Sequence, residues 1–167
     1  KDGWTNPKPL HEYNAGTTSG DWYSGMEDET GVPASTMRDG TLRGYSRIQF
    51  DGNQYKIKYK VAGKPDHYQI GLYVPEVIPD KGWNTAGILA NFFMGSENDL
   101  VEYRIDASEW KRMKYDEQID PEYAATVFRW DVVPQLFPGR RPSDPQVSKH
   151  IWRAAFPKKL ALGKHTV

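Results

Sequence analysis

The side chains able to do covalent or metal chemistry are few and dispersed. Histidines stand at positions 11, 67, 150 and 165, and none of the 167 residues is cysteine. Lack of thiols excludes disulfide scaffolds, thiolate nucleophiles, iron–sulfur clusters and Cys-ligated zinc. A serine nucleophile needs a base and an oxyanion hole, and no G-x-S-x-G elbow occurs to supply that geometry. The histidines form no H-x-H or H-E-x-x-H pair, so each reads as a structural or solvent-facing imidazole rather than a base. Glu27, Asp28, Glu29 and Asp39 could gather oxygens around a calcium ion, but no EF-hand spacing orders them. They read as an acidic, solvated loop. Gly31, Gly40 and Gly44 fit neither a P-loop nor a G-x-G-x-x-G fingerprint, and suit turns instead. Lys56, Lys58 and Lys60 make a basic row. A phosphate stripe would need aromatic platforms beside it, whereas the wet face of a hairpin needs nothing more.

What remains is aromatic abundance: 6 Trp, 10 Tyr and 6 Phe. Tyr55, Tyr59, Tyr103 and Trp130 fall at positions a core requires. Trp22, Tyr23 and Trp83 fall in loops with no such role. Rings in loops can stack on pyranose faces, so a glycan- or surface-binding β-sandwich module using exposed aromatics stands as an alternative function.

The elements that must hold these groups are mostly short strands. Between Tyr45 and Val61, apolar and polar residues alternate on both sides of the turn Asp51-Gly52-Asn53, which predicts a hairpin. Further strands are expected at Tyr68–Val74, at the near-continuous apolar run Gly87–Met94, and at Leu100–Ile105. Others are expected at His150–Phe156 and Lys164–Val167. The apolar run should sit centrally, with both faces covered. One helix is expected at 121–133: Asp120 caps it, Pro121 fits its first position, Glu122 faces the positive end of the dipole, and Pro134 stops it. It would bury Tyr123, Val127 and Trp130. Residues 134–148 read as a Pro-rich connection and residues 1–25 as an irregular arm. With 22 basic against 22 acidic residues, nucleic acid is not an expected partner. No stretch reaches the roughly 20 apolar residues that span a bilayer.

Several segments together resemble one family. Gly20-Asp21-Trp22-Tyr23-Ser24-Gly25 is similar to the G-x-W-[WY]-[ST]-G that opens the C-terminal domain of bacterial calcineurin-like phosphoesterases. Gly31-Val32-Pro33, Met37-Arg38-Asp39-Gly40 and Gly44-Tyr45 follow in the family's order. So do Phe50-Asp51-Gly52-Asn53-Gln54-Tyr55, Asn91-Phe92-Phe93-Met94-Gly95, Trp110-Lys111-Arg112-Met113, His150-Ile151-Trp152-Arg153-Ala154 and Leu162-Gly163-Lys164-His165-Thr166-Val167. The similarity runs from about residue 16 to the end.

The resemblance implies a large secreted or periplasmic hydrolase. A binuclear-metal core would precede this domain, and more sequence would follow it to complete a last strand that is cut short here. The core's D-x-H, G-D-x-x-D, G-N-H-[DE] and G-H-x-H motifs do not transfer. Asp66-His67 are adjacent, Gly20-Asp21 meets Ser24 where Asp is needed, Gly52-Asn53 meets Gln54, and no Gly-His pair exists. A binuclear site takes its ligands from several His, Asp and Asn side chains. The expectation is therefore that no catalytic, cofactor-binding or metal-ligating residue lies in this chain, the two divalent ions belonging to the parent's catalytic domain. The fold expected is an all-β, antiparallel sandwich of six to eight strands with one short helical insertion. It would span 26–167 as the C-terminal domain, with 1–25 as the segment leaving the core. The function implied is that of a non-catalytic accessory domain packed on the core, with the shaping of its substrate cleft as a further expectation. Trp22, Tyr23, Asp39 and Tyr45 are the candidate interdomain or cleft contacts, with internal packing as the competing role.

Overall fold

A computed structural model describes residues 7, 11–21, 26–79, 86–135, 137–157 and 160–167. The domain is all-β and sandwich-like, built of antiparallel pairings with one helix among the described residues. The hairpin forms as the alternation requires: β1 (Gly44–Asp51) pairs with β2 (Gln54–Val61), from Gly44↔Val61 at the base to Asp51↔Gln54 at the tip. Gly52 takes φ +59° in its two-residue turn, the left-handed angle glycine adopts without strain.

The centre of the molecule is a four-stranded sheet in the order β3 (Ile70–Tyr73), β4 (Gly87–Phe92), β10 (Ile151–Ala155), β7 (Lys114–Tyr115). The apolar run lies inside it, between two partners, as expected. Side chains alternate across a strand, so this sheet has two distinct faces. On the first, Ile88, Ala90, Trp152 and Ala154 are buried together with Val101, Ile105 and Met113 from the segment carrying β5 (Glu102–Tyr103) and β6 (Lys111–Arg112). Trp152 is the pivot of that core, with Phe92 tilted against it at 6.1 Å and Tyr115 edge-on at 5.4 Å. On the second face, Phe93 meets Tyr59 edge-on at 6.2 Å and carries the base of the hairpin. Val61, Met37, Leu42, Tyr68 and Met94 complete this smaller cluster.

The helix α1 (Pro121–Val132) is the one expected. Asp120 accepts from the Tyr123 N–H at 2.9 Å, and Val133 ahead of Pro134 is extended. Tyr123 and Val127 are buried, but Trp130 is only half-buried and packs edge-on against Phe137 at 5.1 Å. Several expectations need correction. Ten strands rather than six to eight are present among the described residues, five of them only two residues long. The expected strand Leu100–Ile105 shrinks to β5, and Tyr68–Val74 to β3. The Pro-rich connection contains β9 (Val147–Ser148), which pairs with β8 (Gln118–Ile119). Residues 164–167 form no strand. The Asp106 carboxylate holds them, taking the Thr166 N–H at 2.9 Å and His165 Nδ1 at 2.7 Å, while the Asp106 N–H donates to the Thr166 carbonyl. Asp106 reaches this clamp in the left-handed region, at φ +54°.

Candidate functional site

A gathering of polar side chains lies on the second face of the central sheet. Asn91 projects there from the C-terminal end of β4 and is buried. The β8–β9 pair brings two other members alongside: Asp120 follows Ile119 and opens the helix, and His150 follows Ser148 by two residues and precedes β10. The fourth member, Asp39, arrives on the turn at 37–41, closed by the Gly40 N–H to the Met37 carbonyl and the Met37 N–H to the Thr41 carbonyl. Gly40 is at φ +85°, and a Cβ there would stand 2.5 Å from Asp120 Oδ2. Glycine therefore serves both the backbone angle and the close approach.

The hydrogen bonds run in a closed chain. Asn91 Nδ2 donates to Asp120 Oδ2 at 2.9 Å and to the Asp39 carbonyl at 3.2 Å. Its Oδ1 faces His150 Nδ1 at 2.7 Å, and Ser148 Oγ lies 3.2 Å from the same nitrogen. His150 Nε2 faces Asp39 Oδ2 at 3.2 Å, and Asp39 Oδ1 accepts from the Thr41 N–H at 2.9 Å. The amide orientation of Asn91 is fixed by its two acceptor neighbours, so its oxygen must accept from the ring. Burial works to raise the Asp39 pKa, but the bonds from His150 and Thr41 outweigh it and hold the carboxyl below its ordinary value.

Chemically this is a cross-link. It ties a loop, a central strand, a helix N-terminus and the entry to β10 into one knot, and each member already has protein partners. Ser148, His150 and Asp39 mimic a nucleophile, base and orienting acid, but Ser148 is fully buried and no reactant reaches its oxygen. The adjoining cavity, bounded by Gly40, Asn91, Asp120, Tyr68 and Leu72, holds about 30 Å³. That accommodates a water, against the several hundred Å³ of ordinary ligand pockets. Nor does the donor set suit two cations. Among the described residues, no three His, Asp or Glu side chains converge as metal ligands would. The carboxylates of the knot are spent on a helix N-terminus, an amide and an imidazole.

Of the sequence candidates, Asp39 is the one in the knot, turned into the domain. Tyr45 is exposed on the outer face of the hairpin opposite Lys60. Trp22, Tyr23 and Trp83 lie outside the described residues. The acidic patch does not converge: Asp28 binds Thr30, Val32 and Arg43 while Asp39 binds His150. Trp110 is stacked by Arg104, whose guanidinium carbon sits 4.7 Å from the ring centre. Lys56 and Lys58 do occupy the wet face of the hairpin, in register with Gln49 and Arg47. Asn91 and His150 were not anticipated as partners of Asp39, although both stand inside segments quoted above, Asn91-Phe92-Phe93 and His150-Ile151-Trp152.

Nearly every quoted segment acquires a structural reason. Met37–Gly40 makes the turn that presents Asp39, and Gly31 closes a turn on the Asp28 carbonyl. Phe50–Tyr55 is the hairpin tip, and Ile151 and Trp152 are the most buried residues of β10. No helix of the described residues is long and apolar enough to cross a membrane. Neither the curated proteins nor the solved structures include one that matches this chain. A family model does match, described as the C terminal of calcineurin-like phosphoesterase, and it covers residues 12–167. The chain belongs to the family of calcineurin-like phosphoesterase C-terminal domains.

Proposed function

We propose that this chain is a non-catalytic accessory domain that packs against the catalytic domain of the same polypeptide and walls one side of its substrate cleft. A C-terminal domain of a phosphoesterase implies such a catalytic domain. The observation that carries the reading is the commitment of donors in the knot: Asp39, Asp120, Asn91 and His150 hold one another and the backbone. The reacting groups, two divalent ions included, then belong to the catalytic domain, where the ions would polarise a phosphoryl oxygen and activate water. Export to the periplasm or medium is part of the proposal and rests on the family resemblance alone.

The test is hydrolysis of bis(p-nitrophenyl) phosphate with added Mn²⁺. The whole polypeptide should turn over. The polypeptide lacking residues 12–167 should retain metal-dependent turnover with a raised KM and a lowered Tm. This chain by itself should show none, and turnover by it that a chelator abolishes would refute the reading.

A further inference from the structure

The hairpin has two unlike faces. On one, Arg47, Gln49, Lys56 and Lys58 point to water. On the other, Ser46↔Tyr59, Ile48↔Ile57 and Phe50↔Tyr55 follow each other from base to tip. Among the described residues, the base of that second face rests on a core, through Tyr59 and Val61. Towards the tip Phe50 is 71% exposed, Ile48 45% and Tyr55 42%. Among the described residues the ribbon pairs with no third strand, and a two-stranded ribbon with one bare apolar face is marginal in water.

One other segment already uses that face. His11 lies stacked on Tyr55, with ring centres 5.5 Å apart and planes within 16°. Tyr13 hydrogen-bonds Ser46 and approaches Met94 Sδ at 3.3 Å. The chain thus travels along the apolar face from tip to base before entering the domain. The first of these residues, His11, thus lies at the tip, on Tyr55, which pairs with Phe50. In this family a catalytic domain precedes.

We infer that the apolar face of the hairpin tip, Ile48, Phe50 and Tyr55 with His11 laid on it, is the surface that docks on the catalytic domain of the same polypeptide. This rests on the accessory reading above and locates its contact. Among the described residues, no segment runs onto the other exposed apolar side chains, such as Phe128 and Val132 on the helix, as residues 11–13 run onto the hairpin. The occupant presents an apolar patch, and the basic outer face stays in solvent.

Hydroxyl-radical footprinting of the whole polypeptide, read residue by residue by mass spectrometry, tests the assignment. Phe128, 65% exposed in this domain, and Trp110 serve as internal references. The expected result is labelling of Phe50 at least fivefold slower than the faster of the two references, independent of protein concentration. Phe50→Asp, which alters an exposed position, should restore fast labelling at Tyr55 and leave buried Trp152 protected. Phe50 labelled as fast as the references overturns the inference. If Phe128 is the slow residue instead, the domain docks by its helix and the accessory reading survives alone. If Phe50, Phe128, Trp110 and Tyr45 all label fast, both readings fall. Protection of Phe50 that disappears on dilution identifies a second copy as the occupant and also overturns it.

Discussion

Replacing Gly40 by alanine strikes the polar knot through a single methyl group. An alanine held at φ +85° carries a left-handed penalty of about 1–2 kcal/mol. Its Cβ would lie 2.5 Å from Asp120 Oδ2 and overlap the carboxyl carbon, so Asp120 must swing aside. That removes the cap on the Tyr123 N–H, a loss of about 1 kcal/mol. It also takes the 2.9 Å acceptor from the buried Asn91 amide, costing about 1–3 kcal/mol more. The expected loss is about 3–6 kcal/mol, set against a whole-domain stability of about 5–15 kcal/mol. Gly52→Ala is the control: its φ is +59° and no atom lies within 4 Å of the new Cβ, so only the backbone term applies. Urea unfolding followed by tryptophan fluorescence gives both numbers from midpoints at equal slope. A second cycle adds Asp120→Ala, which removes the carboxyl that the methyl strikes. The loss in the double variant should then fall short of the sum of the two single losses. If Gly40→Ala loses no more than Gly52→Ala, the Asp120–Asn91–Asp39 chain contributes nothing and the account of the knot is wrong.

Three further outcomes are expected. Trp152→Ala empties the pivot of the larger core and should lower stability by about 3–5 kcal/mol in thermal melts, with a loss under 1 kcal/mol contradicting its placement. Asp28, held first by the Thr30 hydroxyl and then by the backbone of Thr30 and Val32 and by Arg43, should titrate at about 2 by carboxyl NMR. A lowered carboxyl pKa stabilises the fold above the unfolded value of about 3.9 and loses that contribution as pH falls through the folded one. Thr30→Val should bring Asp28 back towards the ordinary range. At the Asp106 clamp the signs are opposite for the two partners. His165 is raised by Asp106 and by the Ala161 carbonyl, so its contribution is complete below the unfolded value of about 6.5 and fades as pH climbs past the folded one. Asp106 is lowered by His165 and the Thr166 N–H, so its share fades in acid. Protection of the Thr166 amide should therefore peak between those limits, and Asp106→Asn should move the His165 titration back towards the ordinary range.

The parts of this fold that a reader of the residues could foresee are those decided locally. The hairpin follows from an uninterrupted alternation closed by Gly52, and the helix from Asp120, Pro121 and Pro134, which act within one turn of their own positions. The four strands that went unforeseen, β6 to β9, are two residues each. So short a run has no period to read, and its pairing is chosen by a partner far along the chain, as Gln118 finds Ser148. The same distance hid the knot. Asp39 is recognisable as the residue of an Asp-Gly turn, but its direction depends on His150, 111 residues away, and on Asn91, whose neighbours read as one apolar strand. A buried polar residue inside an apolar run was the available signal, because such a group is retained only where its hydrogen bonds are met. Lys164–Val167 misled in the opposite sense: a strand was expected to begin there, but Asp106 offers those residues a carboxylate instead of a strand.

The ribbon of β1 and β2 also has two open flanks, since no third strand lies along either among the described residues. Bare flanks are templates on which a neighbouring molecule can add its own backbone. Here cations recur at every second position of β2, at Lys56, Lys58 and Lys60. Two such ribbons sliding together would align like charges at close spacing, a repulsion felt over roughly 10 Å at 0.1 M salt. The lysine row thus acts as a guard against cross-β growth, and its protection weakens as ionic strength rises.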